Sequence, residues 1–166
     1  MEDAQEELME AYVNILQTAD DKTKARSMFL YGMIYTNTED FDKAVESCRN
    51  NIGFPPLKLQ NFWININGPG AYHTLHNHQD AMLSGVFYID IPTENMGDLQ
   101  FYRGDEAQYY IPDNLSTYNT ITSTMATYPP KPGMVVIFPS WVKHAVKQNR
   151  SDAERIAISF NYGAKR

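Results

Sequence analysis

Three of the chain's four histidines, His73, His76 and His78, fall within six residues of one another, and the fourth, His144, stands far downstream in FPSWVKHAV. His76 and His78 form an H-x-H pair. On an extended chain, residues two apart project from the same face, so both imidazoles can reach one metal ion. Two ligands do not complete a site, but a second strand carrying His144 could bring a third imidazole to the same point. The expectation is one metal ion on His76, His78 and His144, with His73 a spectator. The competing reading is four partly buried histidines that only make hydrogen bonds, since short motifs specify their context loosely.

The elements that must position these residues begin with a chain of 166 residues, 43% hydrophobic and 13% aromatic. That length reads as one domain, residues 1–166, able to bury a core without staples. No apolar run approaches the ~20 residues needed to span a bilayer. The acidic start MEDAQEELME has neither the basic nor the apolar region of a secretory signal. Cys48 is the only cysteine, so no intrachain disulfide can form, and a cytoplasmic, reducing location is expected. A net charge of -6 argues against nucleic acid as a partner, because such binders usually carry a basic patch.

The period of the apolar residues changes near Gly53. Before it, Leu8, Tyr12, Ile15 and Leu16 recur at helical spacing. Asp20 or Asp21 can cap a second helix running to about Tyr35, which Gly32 weakens. Phe41, Ala44, Val45 and Cys48 mark a third, stopped by Gly53, Pro55 and Pro56. Residues 1–53 therefore read as a helical scaffold. After Pro56 the period is 2. In LQNFWININ, Phe62, Ile64 and Ile66 share one face, and Asn61, Trp63, Asn65 and Asn67 the other. RIAISFNY divides likewise, with Ile156, Ile158, Phe160 and Tyr162 opposite Arg155, Ala157, Ser159 and Asn161. A sheet with helices over its apolar face and a cavity over its polar face accounts for both strands.

Further strands are expected at LSGVFYID, DLQFYR, residues 123–128, MVVIFP and KHAVKQ, separated by Gly and Pro. With the histidine strand this makes about eight antiparallel strands over residues 54–166, and hence an α+β chain whose N-terminal helices pack on one sheet of a jelly roll or sandwich. Residues 93–97 read as a turn. Residues 104–122, rich in Asp, Asn and Tyr, read as an irregular lid or binding loop, or as a surface excursion.

Four pieces in order, H-N-H at 76–78, LSGVFYID at 83–90, PGMVVIFPSWVKHAV at 132–146 and RIAISFNY at 155–162, resemble the Fe(II)- and 2-oxoglutarate-dependent oxygenase superfamily, and within it a branch of short, uncharacterised members, some from phages. The resemblance covers residues 62–162 and includes prolyl-hydroxylase-like motifs. It implies a double-stranded β-helix (jelly roll), Fe(II) and 2-oxoglutarate as cofactors, O2 as co-reactant, and hydroxylation of an unidentified substrate, with a protein or peptide residue favoured. A viral member would work in the host cytoplasm. Carried over, His76, His78 and His144 take the metal positions and Tyr88 lies beside the cosubstrate. Arg155, eleven positions past His144, meets the distal carboxylate, and Asn65 and Ser159 complete the cosubstrate pocket. No acid or base side chain is assigned.

Chemistry agrees with these roles. A non-heme iron oxygenase needs a facial ligand set with open positions, and a planar guanidinium suits a carboxylate. The usual triad has a carboxylate where His78 stands. Asp80, two residues on, offers an alternative His78-x-Asp80 set with His144. Two other classes stay open at this stage. GAYHTLHNH has the G-x5-H-x-H opening of a cupin, with Met82 and Leu83 where a glutamate is usual. A non-enzymatic jelly roll could instead stack a carbohydrate on Trp63, Tyr72 and Tyr88.

Overall fold

The computed structural model describes residues 26–29, 32–36, 41–104, 109–111, 114–117 and 122–164. The helix expected through Leu8 and Leu16 lies outside them, as does much of the 104–122 loop. The described strands are β1 (Arg26–Phe29), β2 (Gly32–Thr36), β3 (Leu57–Asn67), β4 (His73–His76), β5 (Leu83–Asp90), β6 (Leu99–Tyr102), β7 (Met125–Tyr128), β8 (Met134–Pro139), β9 (His144–Val146) and β10 (Arg155–Ala164), with one helix, α1 (Phe41–Ile52). They form a six-stranded sheet, β1-β2-β8-β5-β10-β3, and a four-stranded sheet, β4-β9-β6-β7. Every pairing is antiparallel. β3 to β10 are the eight strands expected of a jelly roll, and β1 and β2 widen its larger sheet.

The N-terminal half corrects one expectation. The helix from Asp20 or Asp21 to about Tyr35 is not formed. Residues 26–29 and 32–36 are instead a hairpin in which Phe29 faces Gly32, and Met33 to Thr36 pair with Ile137 to Met134 of β8. Local propensity is a weak prior. An unpaired edge on β8 would leave a row of backbone donors and acceptors open, and β2 closes it. "N-terminal helices packed on one sheet" thus reduces, among the described residues, to the single helix α1.

That helix is where its apolar spacing puts it. Ala44, Val45 and Cys48 are buried against Leu83, Phe87, Val135, Ile137, Ile158 and Phe160 on the outer face of the six-stranded sheet. Gly53, in the left-handed region at φ 82°, ends the helix by donating its N–H to Arg49 O. A second core lies between the sheets: Tyr88, Leu99, Phe101, Met134, Val136, Phe138, Val142 and Ala157. β8 feeds both cores with alternate residues, which is why MVVIF is a continuous apolar run and not an alternating one. Truncating Ile137, fully buried, to Ala would cost ~2–5 kcal/mol. On β3 the expected apolar face holds for Phe62 and Ile64, which pack on the first core. Ile66 is 60% exposed, since the strand outruns the core there. Among the described residues no helix is long and apolar enough to cross a membrane.

Candidate active site

His76 and His144 are direct cross-strand partners in the β4–β9 pair. Their rings lie 4.2 Å apart between centroids. His78, just past β4, donates its backbone N–H to Ser140 O and brings its ring to 5.3 Å from His76 and 5.2 Å from His144. One ring nitrogen from each of the three can be chosen so that all lie within 4.8 Å of one another. Two of the rings are set from behind. His76 Nδ1 contacts Thr74 O at 2.7 Å and His144 Nδ1 contacts Val142 O at 2.9 Å. A carbonyl only accepts, so both Nδ1 atoms carry the proton and both Nε2 lone pairs are left for an ion, the usual device for orienting a metal-binding histidine. Asp80 is exposed and outside this cluster.

The cluster opens on a cavity of about 80 Å³ between the sheets, floored by β3, β10 and β5. Strand register builds that floor row by row: Trp63, Ser159 and Val86; then Asn65, Ala157 and Tyr88; then Asn67 and Arg155. Small Ala157 leaves the space, and Phe138, Leu99 and Val146 give it apolar walls. Asn65 Nδ2 donates to Ser159 Oγ at 2.8 Å. His73 also lines the cavity, outside the three-ligand cluster, with its Nε2 3.5 Å from Asn67 Nδ2.

Arg155 is 3% exposed. Its Nη1 donates to Met96 O at 3.0 Å and Gly97 O at 2.7 Å, and its Nη2 to Asn67 Oδ1 at 2.8 Å. None of these acceptors is charged, and Nε is a buried donor with no partner among the described residues. The nearby acid Asp98 is bound to Lys147 at 3.0 Å. Gly97 permits the close approach: its φ is 91°, and a Cβ there would lie 3.2 Å from Arg155 Nη1 and 2.2 Å from Lys147 O.

The eight residues between β9 and β10 are pinned by Asn149, 1% exposed. Its Nδ2 donates to Asn67 O and Ala153 O, and its Oδ1 accepts from Ser151 N and Oγ. Its backbone N–H and C=O pair with Ala71 O and Gly70 N. The braced connection therefore joins the strand that carries His144, β9, to the strand that begins at Arg155, β10.

Burial controls the charges. It pulls His144 from 6.5 down to about 4, helped by His76 and His78 and opposed by Val142 O. Burial likewise lowers His78 and His73. Tyr88, fully enclosed, is pushed up to about 12 and stays a protonated phenol that can donate. Burial also lowers Arg155, but from so high a value that the guanidinium remains charged at neutral pH. Of the residues singled out in the sequence, His76, His78, His144, Tyr88, Asn65, Ser159 and Arg155 all line one cavity, together with Trp63. Tyr72 is exposed and does not line it. Sequence reasoning missed Asn67, whose alternation with Asn65 was visible, and the Met96 and Gly97 carbonyls, which carry no side-chain signal.

Residues 61–161 match the family model described as "Putative 2OG-Fe(II) oxygenase". No curated protein matches the chain. Among solved structures it is similar to HygX from Streptomyces hygroscopicus with iron bound, at TM-score 0.52 and 14% identity over 75% of this chain and 64% of that one. It is similar to the non-heme alpha ketoglutarate dependent epimerase SnoN from nogalamycin biosynthesis, at 0.54 and 13% over 94% and 72%. A Pseudomonas putida prolyl-4-hydroxylase follows at 0.50 and 18% over 76% and 64%. At such identities the likeness is one of fold, and the chain spans less than two thirds of HygX and of the prolyl-4-hydroxylase.

Proposed function

The chain belongs to the 2OG-Fe(II) oxygenase family, and from that premise we propose that it is a dioxygenase that holds Fe(II) on His76, His78 and His144 and 2-oxoglutarate between that ion and Arg155. The observation that carries this reading is the buried guanidinium with no anion of its own among the described residues. An uncompensated buried charge costs ~3–5 kcal/mol, so a structure that keeps Arg155 at 3% exposure beside a cavity gains from a carboxylate bound there. The donor set fits the ion as well. Three neutral imidazoles occupy one side of an ion and leave positions for a 2-oxo acid and O2.

Bound together, Fe(II), 2-oxoglutarate and O2 supply the oxidation: the keto acid becomes succinate and CO2, and one oxygen atom enters a C–H bond of the substrate. The protein's part is holding and excluding. His76 and His144 offer Nε2 in a fixed tautomer. Arg155 and the Tyr88 phenol bind the distal carboxylate, and the Asn65–Ser159 pair lines the path between. Phe138, Leu99 and Val86 keep bulk water from the reacting atoms. We place the oxidised group on a side chain reaching in from a protein or peptide at the mouth of the cavity, beside the half-exposed Trp63. The cytoplasm is the proposed location, on the strength of the single cysteine, Cys48, buried in the first core. A cupin or a carbohydrate-binding jelly roll gives Arg155 nothing to bind.

The test is an anaerobic titration with Fe(II) and then 2-oxoglutarate, followed by admission of O2. A weak visible metal-to-ligand charge-transfer band and slow, O2-dependent succinate formation are expected. Absence of both in iron-loaded protein would return the chain to the binding-module reading.

A further inference from the structure

A bulge turns His73 into the cavity. On β4 and β9, His73 faces Val146 and His76 faces His144, so three steps along one strand match two along the other. On a regular strand, residues three apart project to opposite sides. The extra residue in β4 re-aims the side chain, as bulges beside active sites commonly do, and brings His73 to the cavity wall that His76, His144 and Val146 share. His73 lies outside the three-ligand cluster. What it meets is Asn67, in the row of the large sheet that ends in Arg155.

Arg155 fixes the hydrogen-bond roles at this end of the cavity. A guanidinium has donors only, so the Asn67 atom 2.8 Å from Arg155 Nη2 is the carbonyl Oδ1. The amide nitrogen is then the atom that meets His73, and Nδ2 can only donate. Its contact with His73 Nε2 is long, 3.5 Å, and has one consistent sense: Nε2 accepts, and the proton of the neutral ring is on Nδ1. Were His73 to offer an N–H there instead, the amide would turn over to meet it and set its own NH2 group against the guanidinium. The backbone of Asn67 is tied separately, its carbonyl accepting from Asn149 Nδ2 at 3.0 Å, so the side-chain amide is the part left to turn.

We infer that His73 is a positioning residue for the cosubstrate: acting through Asn67, it holds the amide oxygen on Arg155 and so keeps the guanidinium in the setting that leaves Nε–H and one Nη2–H for a distal carboxylate. The contacts run from His73 Nε2 to Asn67 Nδ2 and from Asn67 Oδ1 to Arg155 Nη2, while Nη1 is held independently by Met96 O and Gly97 O. The fourth histidine of the chain thus serves the carboxylate end of the cavity, not the metal end. This inference rests on the cosubstrate reading above.

Two measurements test it. Long-range proton–nitrogen spectra of the metal-free protein report the His73 tautomer, and calorimetry reports 2-oxoglutarate binding to Co(II)-loaded protein. Wild type should carry the His73 proton on Nδ1 alone, and Asn67→Ala should show a mixture of tautomers. His73→Phe, which keeps a planar ring without an acceptor, should weaken 2-oxoglutarate about 3- to 10-fold with Co(II) affinity unchanged. His73→Gln, which can still accept, should recover most of that loss. In an Asn67→Ala background the same His73→Phe change should alter 2-oxoglutarate affinity by less than about twofold, because the path is already cut. If His73→Phe does not fold, His73→Ala must give the same pair of results. Equal losses in the two backgrounds, no loss in the folded single variant, or an Nε2-protonated ring in wild type would each overturn the inference. A wild-type protein that binds Co(II) but no 2-oxoglutarate overturns the cosubstrate reading instead, a result the tautomer measurement does not depend on.

Discussion

Replacing Arg155 tests the proposed cosubstrate site most directly. The guanidinium has five N–H donors, and three are taken by Met96 O, Gly97 O and Asn67 Oδ1. Nε–H and one Nη2–H remain for a ligand. A bond from an ionised donor is worth ~1.5–3 kcal/mol, so two such bonds correspond to about 10²- to 10⁴-fold in dissociation constant. Arg155→Ala should weaken 2-oxoglutarate by that much, and by no less than about tenfold if only one bond forms. Arg155→Lys keeps the charge without the planar fork and should recover part of the loss. The substitution also strips two backbone carbonyls of their donor, at ~1–3 kcal/mol for each buried group left unpaired, so the thermal midpoint should fall for Ala and less for Lys. The assay is calorimetric titration of 2-oxoglutarate into Co(II)-loaded protein, with Co(II) affinity alone as the control, since guanidinium is not a ligand. Unchanged 2-oxoglutarate affinity in a folded Arg155→Ala protein would refute the reasoning and leave Arg155 a structural brace for the Met96–Gly97 turn.

The ligand assignment predicts that His76→Ala and His144→Ala abolish tight Co(II) binding, whereas His73→Ala and Asp80→Ala leave one ion per chain; an ion lost with Asp80 and kept without His76 would select the His78, Asp80 and His144 set. Gly97→Ala places a methyl against Lys147 O in a backbone conformation that disfavours it, so it should cost ~1–3 kcal/mol in urea denaturation and weaken 2-oxoglutarate through the displaced Arg155. With His144 lowered from 6.5 to about 4 by burial, the unfolded chain takes up a proton that the folded one refuses between those values. Stability of the metal-free protein should therefore fall as pH drops from 6.5 to 4, by up to about 3 kcal/mol from this residue. Denaturation midpoints that stay level across that range would show that His144 titrates normally.

The alternation in LQNFWININ and RIAISFNY was enough to place the cavity, because a period of 2 fixes which residues share a face and cross-strand register does the rest. The three histidines were legible for the same reason, since their residue type names the chemistry. What holds them was not. Thr74 O and Val142 O, like the Met96 O and Gly97 O that hold Arg155, are backbone atoms and leave no trace in residue types. The hairpin at residues 26–36 was misread because its strand state depends on β8, some hundred residues away.

A segment such as 147–154 would ordinarily be a first choice for inserting an epitope or cutting the chain, being a surface connection between two strands. Asn149 removes that freedom. Its side chain and backbone fasten the connection to Asn67, Gly70 and Ala71 on one side and to Ser151 and Ala153 on the other, so added residues could not simply bulge into solvent. An insertion there would move the two flanking strands independently, and those strands carry His144 in β9 and Arg155 at the start of β10. For protein engineering this connection belongs with the core, and any tag is better carried elsewhere.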